Sequence, residues 1–206
     1  MATTRTSVVA AFDFDGTLTR RDSLFPFLHF ALGGWRLARR MPRLAPALTA
    51  YAAGMMRNDR AKEIVLTHCL AGTPHAQLSE TGRRFAAERI DRLLRPVALR
   101  RLAWHRAQGH TLVLASASLD LYLEPWGRAA GFDHIIATRL ETDAAGRVTG
   151  RLAGGNCYGL EKLRRLQALL GAPERYILHA YGDSRGDREL LAAAQHPCYR
   201  SMPDDV

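Results

Sequence analysis

Val8–Thr19, VVAAFDFDGTLT, is an apolar run that ends in two acids two residues apart. Val8 to Phe12 is short, β-branched and aromatic, so it reads as a strand buried on both faces, as in a parallel sheet. That strand delivers Asp13 and Asp15 to its carboxyl end, where open α/β sheets bind ligands. Two carboxylates before a Gly-Thr turn suggest a cation site or an acid/base pair, although Asp is also an ordinary turn residue.

A second apolar run, TLVLA from Thr111, leads directly into Ser116-Ala117-Ser118. HIIAT from His134 reads as a third strand, and RLETDAAGRVTGRLAG alternates about a turn as a β-hairpin does. Tyr176 to Tyr181 reads as a further strand, running into GDSRGD at 182–187, and Pro197 to Arg200 as a short edge strand before a tail that frays from Met202. Helical patterns separate these strands. Pro96–Gln108 precedes the second strand, Ser118 is placed to cap a helix through Trp126, and Arg188–Ala194 follows GDSRGD. Gly159–Leu170 is amphipathic, with Leu160, Leu163, Leu166 and Leu170 expected to face inward. The alternation predicts an α/β fold with a mostly parallel, Rossmann-like sheet.

From Asp22 to about Leu94 no buried strand is legible. Asp22 or Ser23 caps a helix with Leu24, Phe27, Leu28 and Leu32 on one face, ended by Gly33-Gly34. Trp35–Met56 runs from a basic start into an apolar remainder broken by Pro42, Pro46 and Gly54, too short and interrupted to span a bilayer. Such a segment suits either a helical lid or a membrane interface. Helices are expected from Asp59 to Leu70 and from Ala76 to Leu94. The chain thus divides into a core, residues 1–21 and 95–206, and a small helical insert, residues 22–94, after the first strand.

A length of 206 residues fits one compact domain with an insertion. The net charge of +9 is compatible with an anionic partner. The basic residues are nearly all Arg and are spread over the chain, which argues against a nucleic-acid stripe. Three distant cysteines form neither a disulfide framework nor a zinc knuckle, and a reducing, cytoplasmic setting is expected. Arg5 precedes the first apolar run, but Asp13 and Asp15 interrupt it short of a signal-peptide or spanning core. None of the eight histidines forms a ligand pair at helical spacing, and His105 and His110, flanking a helix end, are expected to be solvated. Trp35, Trp104 and Trp126 are expected in the core or lid.

Asp13, Asp15, Ser116, Lys162, Asp183 and Asp187 form a set suited to phosphoryl transfer, which is mostly positioning and neutralisation of charge. Lys62 and Lys162 are the only lysines among 29 basic residues. At Lys162 a compact ammonium fits a tight phosphate site better than a planar guanidinium. The ordered motifs DFDGT, a strand ending in Ser, a later Lys and GDSRGD resemble the haloacid-dehalogenase-like (HAD) hydrolases over nearly the whole chain. The helical insert, the hairpin and NCYGLEKL resemble the phosphoserine-phosphatase-like branch, subfamily IB.

The resemblance implies a HAD-like core with a C1-type cap and a Mg²⁺-dependent phosphatase working through an aspartyl-phosphate. By it, Asp13 is the nucleophile and Asp15 the general acid/base, Ser116 binds a phosphoryl oxygen, and Lys162 neutralises nucleophile and phosphate. Asp13, the backbone carbonyl of Asp15 and Asp183 would hold Mg²⁺, with Asp187 ligating it or orienting a water beside it. Asp22 stands where phosphoserine phosphatases carry a Glu for the substrate ammonium, one methylene shorter, and is a candidate for substrate selection. The expected substrate is a small phosphorylated metabolite. DGTLTRRDSLFPFL and DSRGDRELL are also similar to the C-type phosphatidylglycerophosphate phosphatases, which implies an alternative lipid phosphatase at an anionic membrane surface. A non-catalytic anion- or membrane-binding protein is the alternative of another class.

Overall fold

The computed structural model describes residues 7–203. Arg5 and the end of the tail expected to fray, residues 204–206, lie outside the described residues. A six-stranded sheet has the order β4-β3-β2-β1-β5-β6, with β1 Ser7–Phe12, β2 Thr111–Leu119, β3 His134–Thr142, β4 Val148–Ala153, β5 Tyr176–Gly182 and β6 His196–Tyr199. All neighbours run parallel except the β3–β4 hairpin. Alternation along β1 divides its side chains between two apolar layers. Ala10 and Phe12 pack into one, and Val9 and Ala11 into the other. Burial on both faces is why this strand reads as a continuous apolar run.

Between β1 and β2 lie α1 Leu24–Leu32, α2 Gly34–Ala38, α3 Met41–Ala52, α4 Asn58–Leu70, α5 His75–Glu88 and α6 Pro96–Ala107. The chain leaves the sheet and returns to it side by side. Thr19 and Leu94 form an antiparallel bridge, with Arg20 N donating to Leu93 O at 2.8 Å and Arg95 N to Leu18 O at 2.9 Å. The remaining helices are α7 Asp120–Ala129, α8 Leu160–Leu170 and α9 Arg188–Ala192. The insert shares one apolar layer with the sheet through Phe27, Leu66 and Phe85. At Gly82 on α5 a Cβ would lie 2.2 Å from the Leu121 carbonyl oxygen on α7, so only glycine allows this approach. Among the described residues no helix is long and apolar enough to cross a membrane.

Four local expectations differ from the structure. The helix expected to reach Leu94 ends at Glu88, and a 3-10 turn, Ile90–Leu93, follows. Its i,i+3 spacing buries Ile90 and Leu93 together. Ser118 does not cap α7, because β2 continues to Leu119 and the Ser118 hydroxyl is spent elsewhere. On α8 the inward stripe is Lys162 and Leu166, while Leu160 is exposed, since ion pairing rather than apolarity decides the helix's rotation. Trp126 is buried in the core, and Trp35 lies on α2 of the insert, 74% exposed, within the core-or-lid expectation.

His105 is the fourth, fully buried rather than solvated. Its Nε2 meets the Tyr181 hydroxyl at 2.8 Å and its Nδ1 meets His110 Nδ1 at 2.7 Å. Burial, then His179 and Arg101, pushes its pKa down to about 3. A histidine neutral in the fold but titrating near 6.5 when unfolded stabilises fully above 6.5 and loses that contribution as pH falls toward 3. Urea midpoints of the native protein should therefore drop on acidification below 6.5, and His105→Gln should flatten that drop. Parallel pH profiles of the two proteins would refute the assignment.

Candidate active site

The carboxyl ends of β1, β2 and β5 converge. Asp13 follows β1 and is tied to β5 by its N–H, which donates to Tyr181 O at 2.9 Å. Lys162 Nζ, 2% exposed, reaches Asp13 Oδ1 and Asp187 Oδ1, each at 2.5 Å. Its place is set by loop contacts: Gly159 N donates to Gly186 O at 2.9 Å, and Gly186 packs so closely on the Tyr158 ring that a Cβ would lie 2.4 Å from it. Burial raises the Asp13 pKa to about 6 against the pull of Lys162, so at neutral pH the carboxylate is charged and paired. Burial opposes the charge on Lys162, but the two carboxylates outweigh it and raise its pKa.

Asp13, Asp183 and Asp187 bring carboxylate oxygens within 4.8 Å of one another. Among the described residues Asp183 Oδ1 is buried without a hydrogen-bond partner, which fits a cation ligand. A set of hard oxygen donors suits Mg²⁺. Asp187 is otherwise engaged. Its Oδ2 accepts from Asp183 N at 3.2 Å, Ser184 N at 3.0 Å and Ser184 Oγ at 2.9 Å. These bonds orient the GDSRGD loop. Gly16, at φ +80°, lies against Asp183, where a Cβ would stand 2.1 Å from Oδ2. Gly16→Ala is expected to displace that carboxylate and lower turnover by about 100-fold. Steady-state kinetics at saturating Mg²⁺ check this, and near-native turnover would refute it.

Asp15 faces away from the metal-type cluster. Its Oδ1 accepts from Ser23 N at 2.9 Å and its Oδ2 from the Ser118 hydroxyl. Ser23 Oγ lies 2.9 Å from Tyr122 OH and 3.2 Å from Ser118 Oγ, completing a buried hydroxyl network. Burial and then nearby Asp22 raise the Asp15 pKa to about 7, against the Ser118 and Ser23 hydrogen bonds. Two acids two residues apart thus have different surroundings, one beside a cation and one among hydroxyls. Ser116, 1% exposed, lines the same cleft, its Oγ accepting from Ser118 N at 3.2 Å. Asp22 is at the cleft wall, with Oδ1 accepting from Leu24 N at 2.8 Å.

All seven site residues named from the sequence line this cleft or the adjoining carboxylate cluster. Ser23, Ser118, Tyr122 and Lys62 were missed. Ser118 had a usable signal: like Asp13 and Asp15, Ser116 and Ser118 are two apart at a strand end. Lys62 carried the same signal as Lys162, a lysine in a chain that otherwise uses Arg.

Residues 10–192 match the haloacid dehalogenase-like hydrolase family. The protein CicA of Caulobacter vibrioides is 40% identical over 193 residues, spanning 94% of this chain and 86% of that protein. A histidinol-phosphatase of Neisseria meningitidis serogroup C is 28% identical over 197 residues, covering 92% and 88% respectively. Among solved structures, a protein of unknown function from Bordetella pertussis Tohama I superposes with TM-score 0.80 at 28% identity, over 94% of this chain and 89% of that one. A substrate-bound phosphoserine phosphatase superposes with TM-score 0.63 at 15% identity, over 95% and 86%, a likeness of fold. Parallel sheet, helical insert, convergent acids and family match agree, and this chain belongs to the haloacid dehalogenase-like hydrolases.

Proposed function

We propose that this hydrolase is a Mg²⁺-dependent phosphomonoesterase that works through an aspartyl-phosphate on Asp13, with residues 22–94 acting as the cap that selects the substrate. The observation that carries this reading is the division of labour between the two acids. Asp13 is held charged beside Lys162, whereas Asp15 is set apart among hydroxyls that suit a proton carrier.

In the first step an Asp13 oxygen attacks phosphorus, the bond from phosphorus to the leaving oxygen breaks, and Asp15 gives that oxygen its proton. In the second step Asp15 takes a proton from water as the water oxygen attacks the same phosphorus, releasing phosphate and restoring Asp13. Ser116 binds a phosphoryl oxygen, and Lys162 offsets the charge of nucleophile and phosphate. Mg²⁺, held by Asp13, Asp183 and the Asp15 backbone carbonyl, would supply further neutralisation of the phosphoryl oxygens, with Asp187 fixing the loop beside it. Asp22 selects among substrates from the cleft wall.

The cleft measures about 580 Å³, with a polar floor and an apolar wall of Leu24, Phe25, Leu48 and Val65. That size supports a small phosphorylated metabolite. A screen of amino-acid, sugar, nucleotide and lipid phosphates is expected to show phosphate release that EDTA abolishes and Mg²⁺ restores. Absence of release from every class would favour a non-catalytic role.

A second reading, action at an anionic membrane surface, is favoured by one stretch of the chain. From Ser23 to Met56 the chain has no Asp or Glu but carries Arg36, Arg39, Arg40 and Arg43. Trp35 and Met55 stand 74% and 77% exposed on the same stretch. A basic stretch with exposed Trp and Met suits anionic headgroups. Co-sedimentation with phosphatidylglycerol vesicles at low salt tests it, and no binding there would leave the metabolite reading alone.

A further inference from the structure

The pairing of β2 with β3 is interrupted where the site is built. Ala115 pairs with Ile136, but the next pair is Leu119 with Thr138, so Ser116, Ala117 and Ser118 bulge from the ladder. A bulge re-aims side chains at the expense of ladder hydrogen bonds. Here the carbonyl of Ala117, between the two serines, accepts instead from the insert: Lys62 Nζ on α4 reaches it at 2.6 Å. The same ammonium lies 3.4 Å from Asn156 Oδ1. Asn156 in turn accepts from Thr138 Oγ1 at 2.9 Å and donates to Asn58 Oδ1 at 2.6 Å, so both ends of the contact are braced. Lys62 also lines the cleft that Asp15 and Asp22 share.

We propose that Lys62 is a positioning residue, whose ammonium, reaching from the insert, holds the bulged Ser116–Ser118 segment in the shape that presents Ser116 to phosphate and Ser118 to Asp15. The catalytic part of this inference rests on the phosphatase reading, while the support of the bulge does not. The contact couples the insert to the phosphate-binding segment, so loss of Lys62 acts through Ser116 and Ser118 rather than through direct contact with the reacting atoms.

The test compares the native protein with Lys62→Met, which keeps the apolar stem and removes the donor, and with Lys62→Arg, which keeps a donor. Hydrogen exchange in a peptide covering residues 115–119 is expected to be about tenfold faster in Lys62→Met, with β1 unchanged and Lys62→Arg near native. With p-nitrophenyl phosphate and Mg²⁺, kcat/KM should fall about 10-fold or more, inhibition by inorganic phosphate should weaken, and Lys62→Arg should recover part of both. Lys62→Gln replaces Lys62→Met if the latter does not fold.

Unchanged exchange in 115–119 would overturn the proposal whatever the kinetics. Faster exchange with native kinetics would overturn the positioning role while leaving the phosphatase reading intact. If the native protein releases no phosphate, that reading fails, and hydrogen exchange still decides whether Lys62 supports the bulge.

Discussion

Asp13→Asn is expected to lower turnover of a generic phosphomonoester by about 1,000-fold or more, because the nucleophile's negative charge and its acyl-phosphate chemistry are lost together. The fold should survive. Asn matches Asp in shape, its amide oxygen still accepts from Lys162, and burial already works against the carboxylate, pushing its pKa up to about 6. Thermal unfolding beside kcat separates the two effects. A folded Asp13→Asn protein keeping a tenth of native turnover would sink the aspartyl-phosphate reading.

Lys162→Met is expected to be the most destabilising of the substitutions considered. Lys162 is the shared counterion of two carboxylates at 2.5 Å, with Asp13 and Asp187 both buried. Removing it leaves two like charges facing each other out of water, and breaking such a buried pair costs about 3–5 kcal/mol. Urea denaturation at neutral pH, without added divalent cation, measures it. Adding Asp187→Asn to Lys162→Met removes one stranded charge and should recover part of the loss. Lys162→Arg should not restore activity, since a planar fork cannot occupy the space of a point charge between the two carboxylates. A Lys162→Met protein of native stability would show that the ion pairs contribute nothing.

The sheet was legible because each of its strands is a local signal: a short apolar run with polar groups at its end. The hairpin, the edge strand and the helical insert were legible for the same reason. Features that depend on a partner from a distant part of the chain were not. The face that α8 turns inward follows from Asp13 and Asp187, which lie 149 and 25 residues from Lys162. The burial of His105 follows from Tyr181 on β5. Periodicity counted Leu160 as core, but the helix is turned to place Lys162 between its carboxylates.

The candidate site divides along the same line. Asp13, Asp15, Ser116, Lys162, Asp183 and Asp187 were readable because each sits in an ordered motif at a strand or helix end. By itself, the sequence determined the parallel α/β core, the helical insert after β1, and a set of acids, serine and lysine suited to phosphoryl transfer. Local patterns suffice for these, since strand burial and strand-end chemistry are written in consecutive residues.

Only the tertiary structure decided how the two acids of DFDGT are separated, one against Lys162 and one against Ser23 and Ser118. It alone decided that Lys62, from the insert, meets the bulge of β2. The physical reason is that hydrogen bonds and ion pairs between distant segments depend on distance and orientation, which a linear order of residue types does not contain until the chain has folded.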